Sequence, residues 1–204
     1  MIMELVLTGA LAVGAPAPPL TEGEMKRALL AGKDLGKNVA IFKLNLDGAF
    51  LSDFRVDEAR CMDALKSYDS VFGGGRPSAF LVGEINGLHQ VFTGGPATIR
   101  QLRTAASKVS TSCDGKVGFR RESEFKKKKV ANLGDATYAF EVTFDHARYP
   151  GADMNTFVSE FVVVAYKSSV IVYQGLTDST STWPTTVKTA KKAVAKVKKV
   201  YARR

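Results

Sequence analysis

The sequence predicts an α+β fold, a single antiparallel β-sheet with flanking helices and a long C-terminal helix docked on the sheet. Three observations carry this. Apolar residues recur with period two in neighbouring segments separated by short turn sequences, which is the pattern of antiparallel strands. Segments with three- and four-residue apolar spacing lie between them. The last twenty residues carry one narrow apolar seam among lysines. At 204 residues, 45% apolar and 24% charged, the chain has the size and composition of one globular domain. No stretch approaches the roughly 18–20 continuous apolar residues that a spanning helix needs.

The N-terminal 19 residues read apart from the rest. Residues 5–15 form an apolar run of secretory h-region length, with Ala10 and Ala12 fitting a small-residue cleavage site, and Pro16-Ala17-Pro18-Pro19 reads as a stiff linker. Glu4 stands where a basic n-region belongs, so either the true start codon lies upstream and the run is a signal-peptide remnant, the expectation taken here, or the run is a buried first element. The domain is taken as residues 20–204. Thr21-Glu22-Gly23-Glu24 before Met25, Leu29 and Leu30 has the form of a capping box opening a short helix, with Gly32 and Gly36 ending it.

Residues 38–46 alternate, with Ala40, Phe42, Leu44 and Leu46 on one side and Val39, Ile41, Lys43 and Asn45 on the other, running to an Asp47-Gly48 turn. Residues 57–68 are helical in spacing, through Ala59, Met62 and Leu65, with Cys61 beside that face. Residues 79–85 and 88–93 flank Asn86-Gly87, which suits a two-residue type I′ hairpin turn. A helix then opens at Pro96 and buries Ile99, Leu102, Ala105, Ala106 and Val109, with Cys113 just past its end. Tyr138, Phe140, Val142 and Phe144 alternate with Thr137, Ala139, Glu141 and Thr143, predicting a strand with one buried and one wet face. Residues 157–166 and 170–173, joined by Lys167-Ser168-Ser169, read as a long central hairpin. The closing helix, 184–203, buries Val187, Ala190, Val194, Val197 and Tyr201.

Charge is concentrated. The formal balance is +9. Residues 188–204 contribute Lys188, Lys191, Lys192, Lys196, Lys198, Lys199, Arg203 and Arg204 with no acid, and Lys126, Lys127, Lys128 and Lys129 add four more, so the remainder is slightly acidic. The basicity therefore describes two local features and not a basic domain. Four consecutive lysines place their segment on a sheet edge, where they block edge-to-edge association or bind an anion or partner. Lys188, Lys191, Lys192, Lys198 and Lys199 are the matching candidates on the closing helix, for an anionic membrane or cell-wall surface. Nucleic acid is not expected, because no aromatic platform is identifiable beside these lysines.

Motifs that carry chemistry are sparse. Gly73-Gly74-Gly75-Arg76 lacks the Gly-Lys-Ser/Thr ending of a phosphate loop and precedes Pro77. His89 and His146 are the only imidazoles, and neither has the neighbours a metal site needs, so neither metal nor cofactor is expected. No Gly-x-Ser-x-Gly elbow is present, and a hydrolase would need a serine within reach of one of the two histidines. Cys61 and Cys113 are either one bridge or two buried thiols; the export-like N-terminus favours the bridge.

The order of elements also carries a resemblance. Leu20-Thr21-Glu22-Gly23-Glu24-Met25 with Leu29 and Leu30, Cys61 with Leu65, and the helix from Pro96 to Val109 ending near Cys113 are followed by Leu133-Gly134-Asp135 before a strand, the hairpin from Val162 to Val172, and a closing helix. Over residues 20–204 this resembles the actinobacterial extracytoplasmic proteins related to the extracellular sensor domain of mycobacterial-type receptor Ser/Thr kinases. The resemblance implies a secreted or envelope-associated, non-catalytic, sensor-like or ligand-binding protein, its partner a small molecule or a cell-envelope component. Several members carry two disulfides; this chain has cysteines for one. The rival expectations are a small secreted hydrolase and a binder of anionic polymer or membrane surface.

Overall fold

Seven consecutive buried positions, residues 159–165, decide where the sheet is centred. A strand apolar on both faces is stable only inside a sheet covered on both sides. β6 (Phe157–Tyr166) and β7 (Ser169–Asp178) form that centre, paired antiparallel across a Lys167-Ser168 turn. The computed structural model describes residues 16–46, 51–53, 56–118, 123–144, 157–178 and 182–204. The export-like run at 5–15, the Asp47-Gly48 turn and His146 lie outside the described residues.

Around the central hairpin stand β1 (Val39–Leu46), β2 (Arg76–Gly83), β3 (Gly87–Thr93), β4 (Ser123–Lys127) and β5 (Ala136–Phe144). The seven strands form one sheet in the order β1-β2-β3-β7-β6-β5-β4. Every neighbouring pair is antiparallel. The lysine-rich segment does occupy an edge: Lys126 and Lys127 end β4, and Lys128 and Lys129 continue past it.

Two apolar cores follow from the alternation of β6 and β7. Val163, Ala165, Val170 and Val172 point to one face, where α3 (Ala59–Phe72) and α4 (Pro96–Ser112) pack; Val162, Val164, Ile171 and Tyr173 point to the other, beneath α1 (Glu22–Ala28) and α5 (Trp183–Tyr201). On the first face Tyr68 stacks on Phe72 at 4.2 Å, Phe72 meets Phe92 edge-on, and Phe140 stacks on Phe161 at 4.7 Å. These offset and edge contacts suit ring quadrupoles and add to the area they bury. A Cys61–Cys113 disulfide joins α3 to the end of α4 with a Cα separation of 4.8 Å.

Tertiary packing redraws several local expectations. The capping box at Thr21 and Glu24 forms, but Gly32 opens a short α2 (Gly32–Leu35) instead of ending the first helix. The 57–68 helix runs on to Phe72, because Tyr68 and Phe72 are both buried. β2 and β3 pair, yet Leu81 lies opposite Gly87, so the connection is longer than the two-residue type I′ turn. Gly83 supplies the left-handed conformation at φ 132°, where a Cβ would meet the Asn38 carbonyl oxygen at 2.2 Å, and Asn86 accepts from the Gly83 N–H. The expected wet face of β5 is only partly open: Ala139 is buried, and Thr137, Glu141 and Thr143 are half-buried. Val187 is half-buried; Thr186 and Thr189 sit deeper. The Pro-rich segment 16–19 is docked, not free-standing, since the Arg204 guanidinium donates to the carbonyls of Pro18 and Pro19 at 2.7 and 2.9 Å.

Candidate functional site

α4 owes its seat to the stripe Ile99, Leu102, Ala105, Ala106 and Val109, which faces the sheet. That seat turns the opposite side of the helix outward, and none of its 17 residues is acidic. Arg100, Arg103, Thr104, Ser107, Lys108 and Thr111 recur at three- and four-residue steps and therefore share a face. They line a groove of about 710 Å³, closed on its other side by Pro16, Tyr138 of β5 and the Lys167-Ser168 turn. Among the described residues no carboxylate lines it.

The charges in the groove are available. Arg100, Arg103 and Lys108 make no ion pair among the described residues. Lys167 contributes backbone and stem, for its ammonium lies 5.2 Å over Tyr201 and 5.7 Å over Tyr166, rings that pack on the opposite face of the sheet. At 1.5 Å rise per residue, Arg100 and Lys108 stand about 12 Å apart along the helix axis. Guanidinium forks and hydroxyls in a row match an anion with several oxygen acceptors spread along its length.

The sequence-predicted basic residues go elsewhere. Lys126 pairs with Glu124 at 3.1 Å, and the Lys127 N–H donates to Asp114. Lys128 pairs with Glu141 at 2.7 Å and sits 5.2 Å over the Trp183 ring. Lys129, Lys188 and Lys191 are brought together around a smaller groove of about 400 Å³ floored by Val130, Ala131, Trp183, Pro184 and Val187. Trp183 is thus an aromatic surface beside the lysines, brought there by the tertiary fold. Lys198 lies over Tyr166, Lys199 borders a third groove with Arg27, Lys33 and Arg203, and Lys192 is half-buried on the flank of α5.

His89 is a core residue. It is 0% exposed, its Nδ1 accepts from the Leu30 N–H at 3.2 Å, and burial aided by the nearby Lys196 ammonium pushes its pKa down to about 3. A closed-in neutral imidazole of this kind cannot reach a substrate, which removes one of the two histidines available to a hydrolase. Among the described residues no cluster of three or more His, Cys, Asp or Glu could hold a metal ion. No described helix is long and apolar enough to cross a membrane.

A scan of protein-family models and a search of curated proteins each find no match to this chain. Among solved structures, the extracellular domain of PknH from Mycobacterium tuberculosis is similar, with a TM-score of 0.58 over 89% of this chain and 98% of that one, at 14% identity. The fold is shared. At that identity the likeness speaks to backbone architecture and leaves the grooves to be read from this chain's own side chains.

The α4 groove escaped sequence reasoning because attention to amphipathic periodicity selects the apolar stripe and treats the other side as solvent. The signal was present: a 17-residue helix with Arg, Arg, Lys and hydroxyls on one side and no acid anywhere. What could not be read was the opposing wall from β5 and the 167–168 turn.

Proposed function

We propose that this chain is an extracytoplasmic, non-catalytic, sensor-like domain that binds an extended anion in the α4 groove. The observation that carries the reading is the row of Arg100, Arg103 and Lys108, which among the described residues make no ion pair and share their groove with no carboxylate. A Cys61–Cys113 bridge suits an oxidising compartment, and the fold shared with a kinase's extracellular domain supports the same placement. The ligand class is an oligo-anion, such as a phosphate- or sulfate-bearing chain, long enough to meet charges about 12 Å apart.

Titration calorimetry with inorganic tripolyphosphate, against orthophosphate, tests this. Tripolyphosphate is expected to bind one per chain and more tightly than orthophosphate. Arg100→Ala with Arg103→Ala removes two charge-assisted contacts and should weaken binding by about a hundredfold, on the order of 1.5 kcal/mol per contact. Equal binding by the double variant would show that the groove is not the site.

A second reading has its own observation, the Trp183 groove rimmed by Lys129, Lys188 and Lys191. A ring that is apolar in body and polar at its tip, ringed by ammonium groups, suits contact with an anionic membrane surface. In the titration above, Lys188→Ala with Lys191→Ala leaves tripolyphosphate binding unchanged if the α4 groove is the site.

A further inference from the structure

The two edges of the sheet are built in opposite ways. The β4 edge ends in Lys126 and Lys127 and is followed by two more lysines, the usual device against strand addition. The β1 edge is eight residues long, reads Val-Ala-Ile-Phe-Lys-Leu-Asn-Leu, and carries a single charge. Its outward face is the more apolar one: Val39 and Ile41 pack inward, while Phe42 is 52% exposed and Leu44 48%, beside Val82 of β2 at 40%. Among the described residues no strand pairs with this edge.

The backbone register is fixed by one bond. The Glu84 N–H donates to the Asn38 carbonyl at 3.3 Å, and Val39 lies opposite Gly83, so even-numbered residues turn their amides and carbonyls toward β2. Alternate residues of an antiparallel ladder point opposite ways, which leaves the polar groups of Val39, Ile41, Lys43 and Asn45 aimed off the sheet. A long, largely apolar edge whose outer donors and acceptors have no partner among the described residues is a template for another strand.

We propose that β1 is the contact edge of a homodimer, two copies pairing antiparallel through β1 about a two-fold axis at Phe42. The strand is self-complementary in that register. Phe42 meets its own counterpart at a non-hydrogen-bonded position, where Cα atoms approach to about 4.5 Å and side chains touch. Ala40 meets Leu44, Val39 meets Asn45, and Ile41 meets Lys43, so the four residues whose amides and carbonyls point off the sheet find backbone partners and the two lysines are kept apart. Centring the axis on Lys43 instead sets two ammonium groups face to face, which is unfavourable. The closed two-fold arrangement uses the open edge of both copies and leaves the lysine-guarded β4 edges outermost, so the assembly stops at two.

The test is the mass and the register. Sedimentation of the native chain at about 100 μM, where a micromolar dimer is largely formed, should give twice 22.0 kDa. All native cysteines are paired, so Phe42→Cys introduces the sole free thiol, and mild oxidation should give a covalent dimer. Lys43→Cys, displaced from its counterpart by two residues, should cross-link roughly tenfold more slowly because disulfide geometry tolerates only a narrow Cα range. Lys43→Pro deletes one outward-facing N–H and no bond to β2, and should yield a monomer with its melting temperature kept. A native chain that stays at 22.0 kDa overturns the proposal and leaves the edge to a different protein's strand. So does equal cross-linking at positions 42 and 43, a readout that stands even where the proline variant fails to fold.

Discussion

Among the described residues Glu160 is the most deeply buried carboxylate. It is 3% exposed on the face beneath α5, and the Thr186 hydroxyl donates to it at 2.5 Å. Gly175 makes this approach possible, because a Cβ there would stand 2.3 Å from Thr186 Oγ1. Burial raises the Glu160 pKa above its ordinary 4.5, the Thr186 hydrogen bond works against that rise, and the Glu141 carboxylate adds to it. The folded state thus holds this proton more tightly than the unfolded chain. Its stabilising effect is complete below pH 4.5 and is lost as pH rises through the elevated folded value. Glu160→Gln keeps an acceptor for Thr186 and removes the charge, so thermal melts from pH 4 to 8 should show the variant gaining on wild type as pH rises. A constant difference across that range would exclude burial of the carboxylate as the cause. Glu24 runs the other way: hydrogen bonds from Arg204 and the Thr21 amide hold it at about 2, so its stabilising effect is present above 4.5 and lost as pH falls toward 2.

Elements are seated by what they bury. α5 presents Ala190, Ala193, Val194, Val197 and Tyr201 to the second core, and Tyr201 closes the end by hydrogen bonding Ser169 at 2.8 Å. Val194→Asp sets an unpaired carboxylate in that seam and should cost roughly 3 kcal/mol or more, since the charge must be desolvated or the helix displaced. For a domain of this size that lowers the melting temperature by roughly 10 °C. Ala195→Asp, one residue on and exposed, should change stability by no more than about 0.5 kcal/mol. Equal melting of the two variants would show that α5 is not held by this seam. The docking of α5 was legible from apolar spacing. Its exact seam was not, because Thr186 enters the interface by donating to Glu160 and Thr189 is buried with its hydroxyl satisfied by the Thr185 carbonyl of its own helix, bonds that a scale of hydrophobicity passes over.

At the scale of the whole molecule, the disulfide ties together helices that flank one face. Cys61 and Cys113 are 52 residues apart in sequence, enclosing β2 and β3 in the closed loop. Closing a loop of that length stabilises the fold by roughly 4 kcal/mol on the chain-entropy model. Cys61→Ser with Cys113→Ser should therefore melt roughly 10 °C lower, and thiol titration of the denatured, unreduced native chain should find no free sulfhydryl. Two reactive thiols per chain would refute the bridge and weaken the extracytoplasmic reading with it. Sheet order belongs to this scale too. The β6–β7 hairpin was readable as central from its doubly apolar runs, and the lysine-rich segment as an edge, but the identity of the other edge depended on how seven strands were arranged.

Local chemistry determined the α+β class, the amphipathic stripes of α4 and α5, the capping box at Thr21, and the edge position of the lysine run, because each follows from periodicity or desolvation cost within a few residues. Only the tertiary structure decided which strand would form the second edge, and so that Phe42 and Leu44 would face outward on a strand whose other side packs Val39 and Ile41. Only the tertiary structure set Lys129 beside Trp183, residues 54 positions apart in the chain, and gave the cationic side of α4 an opposing wall. The physical reason is the same in each case. Periodicity reports which face of an element is apolar, whereas a groove or a free edge exists between elements and depends on their relative placement.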